Sequence, residues 1–328
     1  MSPEKEADAA RTARLQAWGQ PLLMLASLLL AYILPFEGLF LSYAILGPLH
    51  YLTQISWLYD RRCFMPDNLR RRFFVGAVVA LAAWIGLSGA PFQHALPRLD
   101  LYGCAFIALS LFILPLALRP AVHPAMQALL VALVPVIVWA LLHLNAVYLL
   151  GAFLLTTVFH TGVFTFSFLL LGARRTRELP DIVSAGAWVL CVLFVFVIPP
   201  EVSFRFGPGL FDGQRALFDP AAEILGARQP GLDHSWASAY GLLTFIFTYH
   251  YLNWFSKTEL LKWHQVPLPR GIAIAALYLS AIGLYFYDYG IGFRALLFLS
   301  LLHVFLEFPL NLQTLRALMA LRGEVKGG

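Results

Sequence analysis

The sequence predicts an all-α fold, a polytopic membrane helical bundle of about ten transmembrane helices with the N-terminus and C-terminus cytoplasmic. Three observations predict it. Mean hydropathy is +0.73, and of 328 residues 60% are hydrophobic and only 12% charged; a soluble domain carries roughly twice that charged fraction. Apolar runs recur from residue 21 onward, near the ~20 residues needed to cross about 30 Å of hydrocarbon. Lys and Arg, finally, collect in alternate turns between those runs.

Residues 1–18 are polar and form a cytoplasmic N-terminal segment. The first apolar run, PLLMLASLLLAYILPF, follows a basic flank, has no small-x-small cleavage site and precedes further spans, so it reads as a signal anchor. Spans are expected near 19–35, 38–58, 73–90, 100–118, 125–143, 145–172, 182–200, 234–255, 270–290 and 293–315. With the N-terminus inside, the inner segments hold 18 of the 23 Lys and Arg and the outer segments 5. That split is a positive-inside pattern and sets the orientation. The same pattern explains the net charge of +5, so no nucleic-acid partner is expected, and membrane lipids are. The location expected is a bacterial-type inner (cytoplasmic) membrane, multi-pass.

The whole chain, 1–328, reads as a single integral-membrane domain with one long outer loop, 201–233. That loop reads as a surface cap, with a lid over a site as the sharper alternative. Cys63, Cys104 and Cys191 are scattered, with no CxxC pair, and read as small apolar packing residues. There is no internal repeat and no pair of Gly/Pro-broken half-helices of the transporter kind.

Orientation turns sequence position into depth. Spans two, six, eight and ten run from outside to inside, and each carries one histidine: His50, His160, His250 and His303. Each lies 7 to 14 residues before the first charged residue on the inner side, or roughly 10–21 Å below the cytoplasmic edge at 1.5 Å per residue. Four imidazoles thus occupy one slab of the membrane. A single intramembrane histidine reads as a helix-to-helix hydrogen bond. Four at one depth each need a partner that hydrocarbon does not supply, and one transition metal satisfies them together.

Glu307 lies i+4 from His303 in LLHVFLEFPLN, on the same helix face. With no Lys or Arg deep in a span, such a carboxyl is a fifth ligand, an acceptor that orients a histidine, or a proton carrier; protonated and bonded to a carbonyl is the plain alternative. Gln54, Asn253, Tyr249 and Asn311 are candidate supports for the ligands, at i+4 from His50, i+3 from and beside His250, and i+4 from Glu307. His94, His123, His143, His234 and His264 read as turn, helix-start or interface residues; His264 and Asp60, near the inner edge, are the outliers that a folded turn could bring in. The HxxxH blocks of di-iron desaturases, the HExxH of zincins and the deep lysine of a retinal pump are all absent.

These residues point to a membrane-embedded non-haem metal oxygenase or oxidoreductase. Iron is the most suitable metal, another transition metal being possible, with O2 and a lipophilic small molecule from the bilayer as reactants. The 27 Phe and 13 Tyr suit such a substrate, although aromatics also simply fill bundles. Two other classes use the same residues: a haem- or quinone-linked redox protein with histidine pairs as axial ligands, and a proton-coupled transporter with a His/Glu relay.

The blocks ILGPLHYLTQISWLYD, FHTGVFTFSF, TYHYLNWFSKTE and LLHVFLEFPLN together resemble the bacterial Brp/Blh family of integral-membrane β-carotene dioxygenases and related membrane proteins. The family is polytopic, of similar size, and is thought to hold one non-haem iron with histidines from several spans. Its early span carries Gly-x-Pro-His-Gly-x-x-Asp-His. Here Gly47-Pro48-Leu49-His50 supplies the histidine without the following Gly and Asp-His. The resemblance implies iron, O2 and a carotenoid-like substrate.

Overall fold

The computed structural model describes residues 3–61, 158–201, 234–257 and 265–324, with a few further residues between 75 and 136 and at 261–262. The described residues form helices and connecting turns with no strand, which bears out the all-α class. Two helices, Leu179–Val197 and Leu268–Tyr287, are long and apolar enough to cross a membrane. The spans expected at 73–90, 100–118 and 125–143, and the loop 201–233, fall almost wholly outside the described residues, as do His94, His143 and His264.

Contacts divide the chain into two units, Met1–Leu46 with Leu155–Pro267 and Gln313–Gly328, and Gly47–Leu154 with Leu268–Leu312. In the first unit, α1 (Pro3–Ile33) is followed by the short α2 (Glu37–Leu41) and a π-helical stretch, Ser42–Leu46. Pro35 stops α1, because the residue before a proline is driven out of helical geometry. A second π-helical stretch, Phe159–Phe164, leads into α4 (Thr165–Thr176). Arg177 then takes a left-handed conformation, φ 54°, and its N–H donates to the Ala173 carbonyl, closing that helix. Pro180 and Asp181 start α5 (Leu179–Val197), a proline and an acid in the first turn where the exposed N–H groups favour both. The central helix is α6 (His234–Ser256), which packs on α1, α2 and α5.

Polar contacts fix how these helices run. Midway along α1, Gln20 donates to Ser256 Oγ at 2.9 Å; beyond its C-terminal end, Thr244 donates to the Pro35 carbonyl. So α1 and α6 are antiparallel, as the expected topology requires of spans one and eight. Close approach is bought with glycine: a Cβ on Gly38 would lie 2.8 Å from Thr244 Cγ2, and one on Gly241 2.8 Å from Pro200 Cγ. Phe36 and Tyr240 pack edge to face at 5.2 Å, a pair worth about 0.5–1.5 kcal/mol.

In the first unit apolar residues face outward as well as inward, and several polar residues are buried. Met24, Ser27 and Ala31 of α1 are fully buried, while Trp18, Leu22, Leu25, Leu29 and Ile33, spaced three or four apart, are exposed. On α5 the exposed residues include Leu190, Leu193, Phe196 and Val197. Inside are His160, Thr161, Thr165, Thr248, His250 and Asn253.

In the second unit, α3 (Gly47–Arg61) packs on α7 (Leu268–Tyr287). They are antiparallel, since Arg270 at the start of α7 pairs with Asp60 and reaches Ser56 at the end of α3. Asp60 is thereby held ten residues along the helix from His50, at an exposed ion pair. The chain enters α8 (Tyr289–Glu324) after a tight turn. On α7 the exposed residues are again apolar: Leu268, Ile272, Leu277, Leu279 and Phe286.

Candidate metal centre

Each unit holds one pair of the four predicted histidines. In the second unit, His50 of α3 and His303 of α8 are buried, with ring centres 5.2 Å apart and planes at 84°. Tyr51 stacks on His303 at 4.3 Å. One turn further along the same two helices, Gln54 Nε2 donates to Glu307 Oε2, both side chains buried. Residues 50 and 54 of α3 thus meet 303 and 307 of α8 in the same order, so the two helices run parallel, as expected of spans two and ten. Asn311, a turn beyond Glu307, is fully buried with neither side-chain atom hydrogen-bonded.

In the first unit, His160 and His250 are buried with ring centres 5.1 Å apart and planes at 69°. His160 lies within the π-helical stretch, a local widening of the helix that recurs at functional sites because it re-aims one side chain. Thr165, at the start of α4, shares a hydrogen bond of 2.8 Å with His250 Nδ1. Further along, Lys257 lies over the Phe168 ring. The order 160, 165, 168 against 250, 250, 257 makes this pair of segments parallel too.

Among the described residues, His50 and His303 of the second unit and His250 of the first are buried imidazoles of the kind that could hold a metal ion. Their hydrogen bonds suit that chemistry. A ligating imidazole ordinarily donates its other N–H to an acceptor, which sets tautomer and ring orientation. His303 Nδ1 has a long contact, 3.4 Å, to the Leu299 carbonyl; a carbonyl only accepts, so for His303 to ligate through Nε2 its Nδ1–H must donate there. For His250 to ligate through Nε2, its Nδ1–H must likewise donate to Thr165. Two imidazoles sharing an ion, at about 2.0–2.1 Å per bond in a tetrahedral arrangement, place their ring centres roughly 5 Å apart. Both pairs have that spacing, which edge-to-face packing also permits.

The predicted supports divide. Gln54 is found on Glu307 and not on His50, so the amide and the carboxyl form a unit of their own. Tyr249 donates to Gln20 Oε1 at 3.1 Å. Asn253 is buried, but its Oδ1 makes no hydrogen bond; it lines a cavity at the far end of α6. Thr165 was missed by sequence reading. The signal that could have found it is i+5 spacing from His160 in FHTGVFT, which a π-helical turn brings onto the face that an α-helix presents at i+4. His123 is exposed, as expected of a turn residue. No family model, no curated protein and no solved structure matches this chain.

Proposed function

We propose that this protein is a multi-pass membrane metalloenzyme of the non-haem oxygenase or oxidoreductase class, with iron as its metal and a lipophilic molecule and O2 as substrates. The observation that carries the reading is the two buried histidine pairs, His50 with His303 and His160 with His250. The exposed apolar stripes on α1, α5 and α7 support the membrane setting, because a soluble fold would bury those stripes and large exposed apolar surfaces mark membrane contact.

A bound non-haem iron supplies the redox chemistry that O2 requires, and carboxylate–imidazole donor sets suit that metal. The chain's own residues do the rest. Thr165 and the Leu299 carbonyl hold protons at Nδ1 of His250 and His303, which turns Nε2 of each toward use as a ligand. Glu307, held by the Gln54 amide, is the group placed to accept or return a proton beside His303, or to bind directly. Burial of all four rings keeps water from competing.

A haem reading fits the spacing less well. Axial ligands stand on opposite sides of one iron, which puts their ring centres at roughly 6 Å or more with the macrocycle between them. The observed pairs are 5.1 and 5.2 Å apart. The deciding experiment is elemental analysis and an absorption spectrum of detergent-purified protein. About one equivalent of iron with no Soret band is expected; less than about a tenth of an equivalent of any transition metal overturns the reading, since a built site retains its ion through gentle purification.

A further inference from the structure

A cavity of about 280 Å³ lies within the first unit, at the ends of α1, α4, α5 and α6 that carry Lys257, Arg174 and Arg175. Its wall includes Gln20, Phe168, Leu169, Gly172, Asp181 and Asn253. At ~30 Å³ per water molecule it holds the volume of roughly nine waters, room for a small polar head and the first carbons of a chain. The lining is mostly apolar with a few convergent polar groups, the usual make-up of a small-molecule site.

Asn253 gives the cavity its chemistry. The residue is 6% exposed, and among the described residues its Oδ1 has no hydrogen-bond partner. A buried amide left this way costs about 1–3 kcal/mol unless something enters to meet it. The surrounding polar groups are otherwise engaged: Gln20 spans Tyr249 and Ser256, Ser256 donates to the Asn253 carbonyl, and Asp181 accepts from Thr176. Gly172 matters by what it lacks, since a Cβ there would meet nothing within 4 Å. The glycine leaves the space open.

The partner that fits is neutral. The wall carries one carboxylate, Asp181, and one ammonium, Lys257, so its formal charges cancel and favour neither an anionic nor a cationic head. A hydroxyl donates to Oδ1 and accepts from the same amide's N–H, whichever way round the amide lies. From the apolar wall and this amide we infer that the cavity seats the hydroxyl end of a long-chain lipid alcohol, with Asn253 as its hydrogen-bond partner and the chain along Phe168 and Leu169. The inference rests on the reading of the chain as a membrane protein and is independent of the metal.

The test is photolabelling of the purified full-length protein with a diazirine-bearing hexadecanol, mapped by mass spectrometry. Labelling is expected on the α4 segment that contains Phe168 and Leu169, competed by hexadecanol and not by hexadecane. Asn253→Leu, which removes the amide, is expected to weaken competition about tenfold. Gly172→Leu, which fills open space, is expected to abolish labelling. Helical circular dichroism and the elution profile check that both variants fold. Labelling that hexadecane competes equally, or that survives both substitutions in folded protein, overturns the inference. Iron content measured on the same samples keeps the two readings apart: a metal-free protein that still takes up the alcohol leaves this site standing and removes the metalloenzyme.

Discussion

The two histidine pairs have nearly the same ring separation, 5.1 and 5.2 Å, but different support. His160 and His250 rest on a hydroxyl, Thr165, and on a π-helical turn. His50 and His303 rest on a stacked tyrosine and on a carboxyl–amide unit, Glu307 with Gln54, one turn away. A threonine can orient an imidazole and do little else. A buried carboxyl can also carry negative charge to an ion or move a proton. The first pair thus has an orienting hydroxyl beside it, and the second has a group capable of proton chemistry.

The largest effect should come from the ligands themselves. His303→Ala and His250→Ala are each expected to lower bound iron to below about a tenth of an equivalent, a loss beyond the ~10–100-fold cost of disturbing a supporting residue. His160→Ala should lose less than His250→Ala. A His250→Ala protein that keeps its iron would break the comparison, because the first unit would then contribute no ligand. Folded state is checked by elution profile and helical circular dichroism.

Next in size is Glu307→Gln. It keeps the shape and a partner for Gln54 but removes the charge. Iron affinity should fall about 10–100-fold, and any oxygen-dependent turnover should fall further than the iron content does. Equal losses in both would make Glu307 a simple support of the site. Smallest is Thr165→Val, which takes the acceptor from the His250 Nδ1–H. Affinity should drop about tenfold, with Thr165→Ser restoring it; a variant that loses nothing would show that this hydroxyl does not set the tautomer. Chelator titration followed by iron analysis measures both.

Much of this was legible in the chain. That His50 and His303, and likewise His160 and His250, lie on segments running the same way is what hydropathy and the distribution of Lys and Arg predict. Within each unit the structure has the paired segments parallel, as that argument requires. The His303–Glu307 pairing on one face also follows from i+4 spacing alone. Gln54 was harder. Its spacing from His50 shows that both lie on one face of α3, yet says nothing of the neighbour that face meets, and the neighbour is Glu307. Glu37, fully buried at the start of α2, drew no notice because it sits beside a proline at what reads as a span edge.

By itself, then, the sequence determined the helical class and the residues that are costly to bury. These depend on local composition and spacing, which act over one helix at a time. Tertiary structure alone decided the partners: His160 with His250, His50 with His303, Thr165 on Nδ1, Gln54 on Glu307, and Asn253 at a cavity. The physical reason is rotation about the helix axis. Each π-helical turn, at Ser42–Leu46 and at Phe159–Phe164, adds a residue to its turn and shifts which side chains share a face, and a 3.6-residue count carried along the sequence has no means of registering that shift.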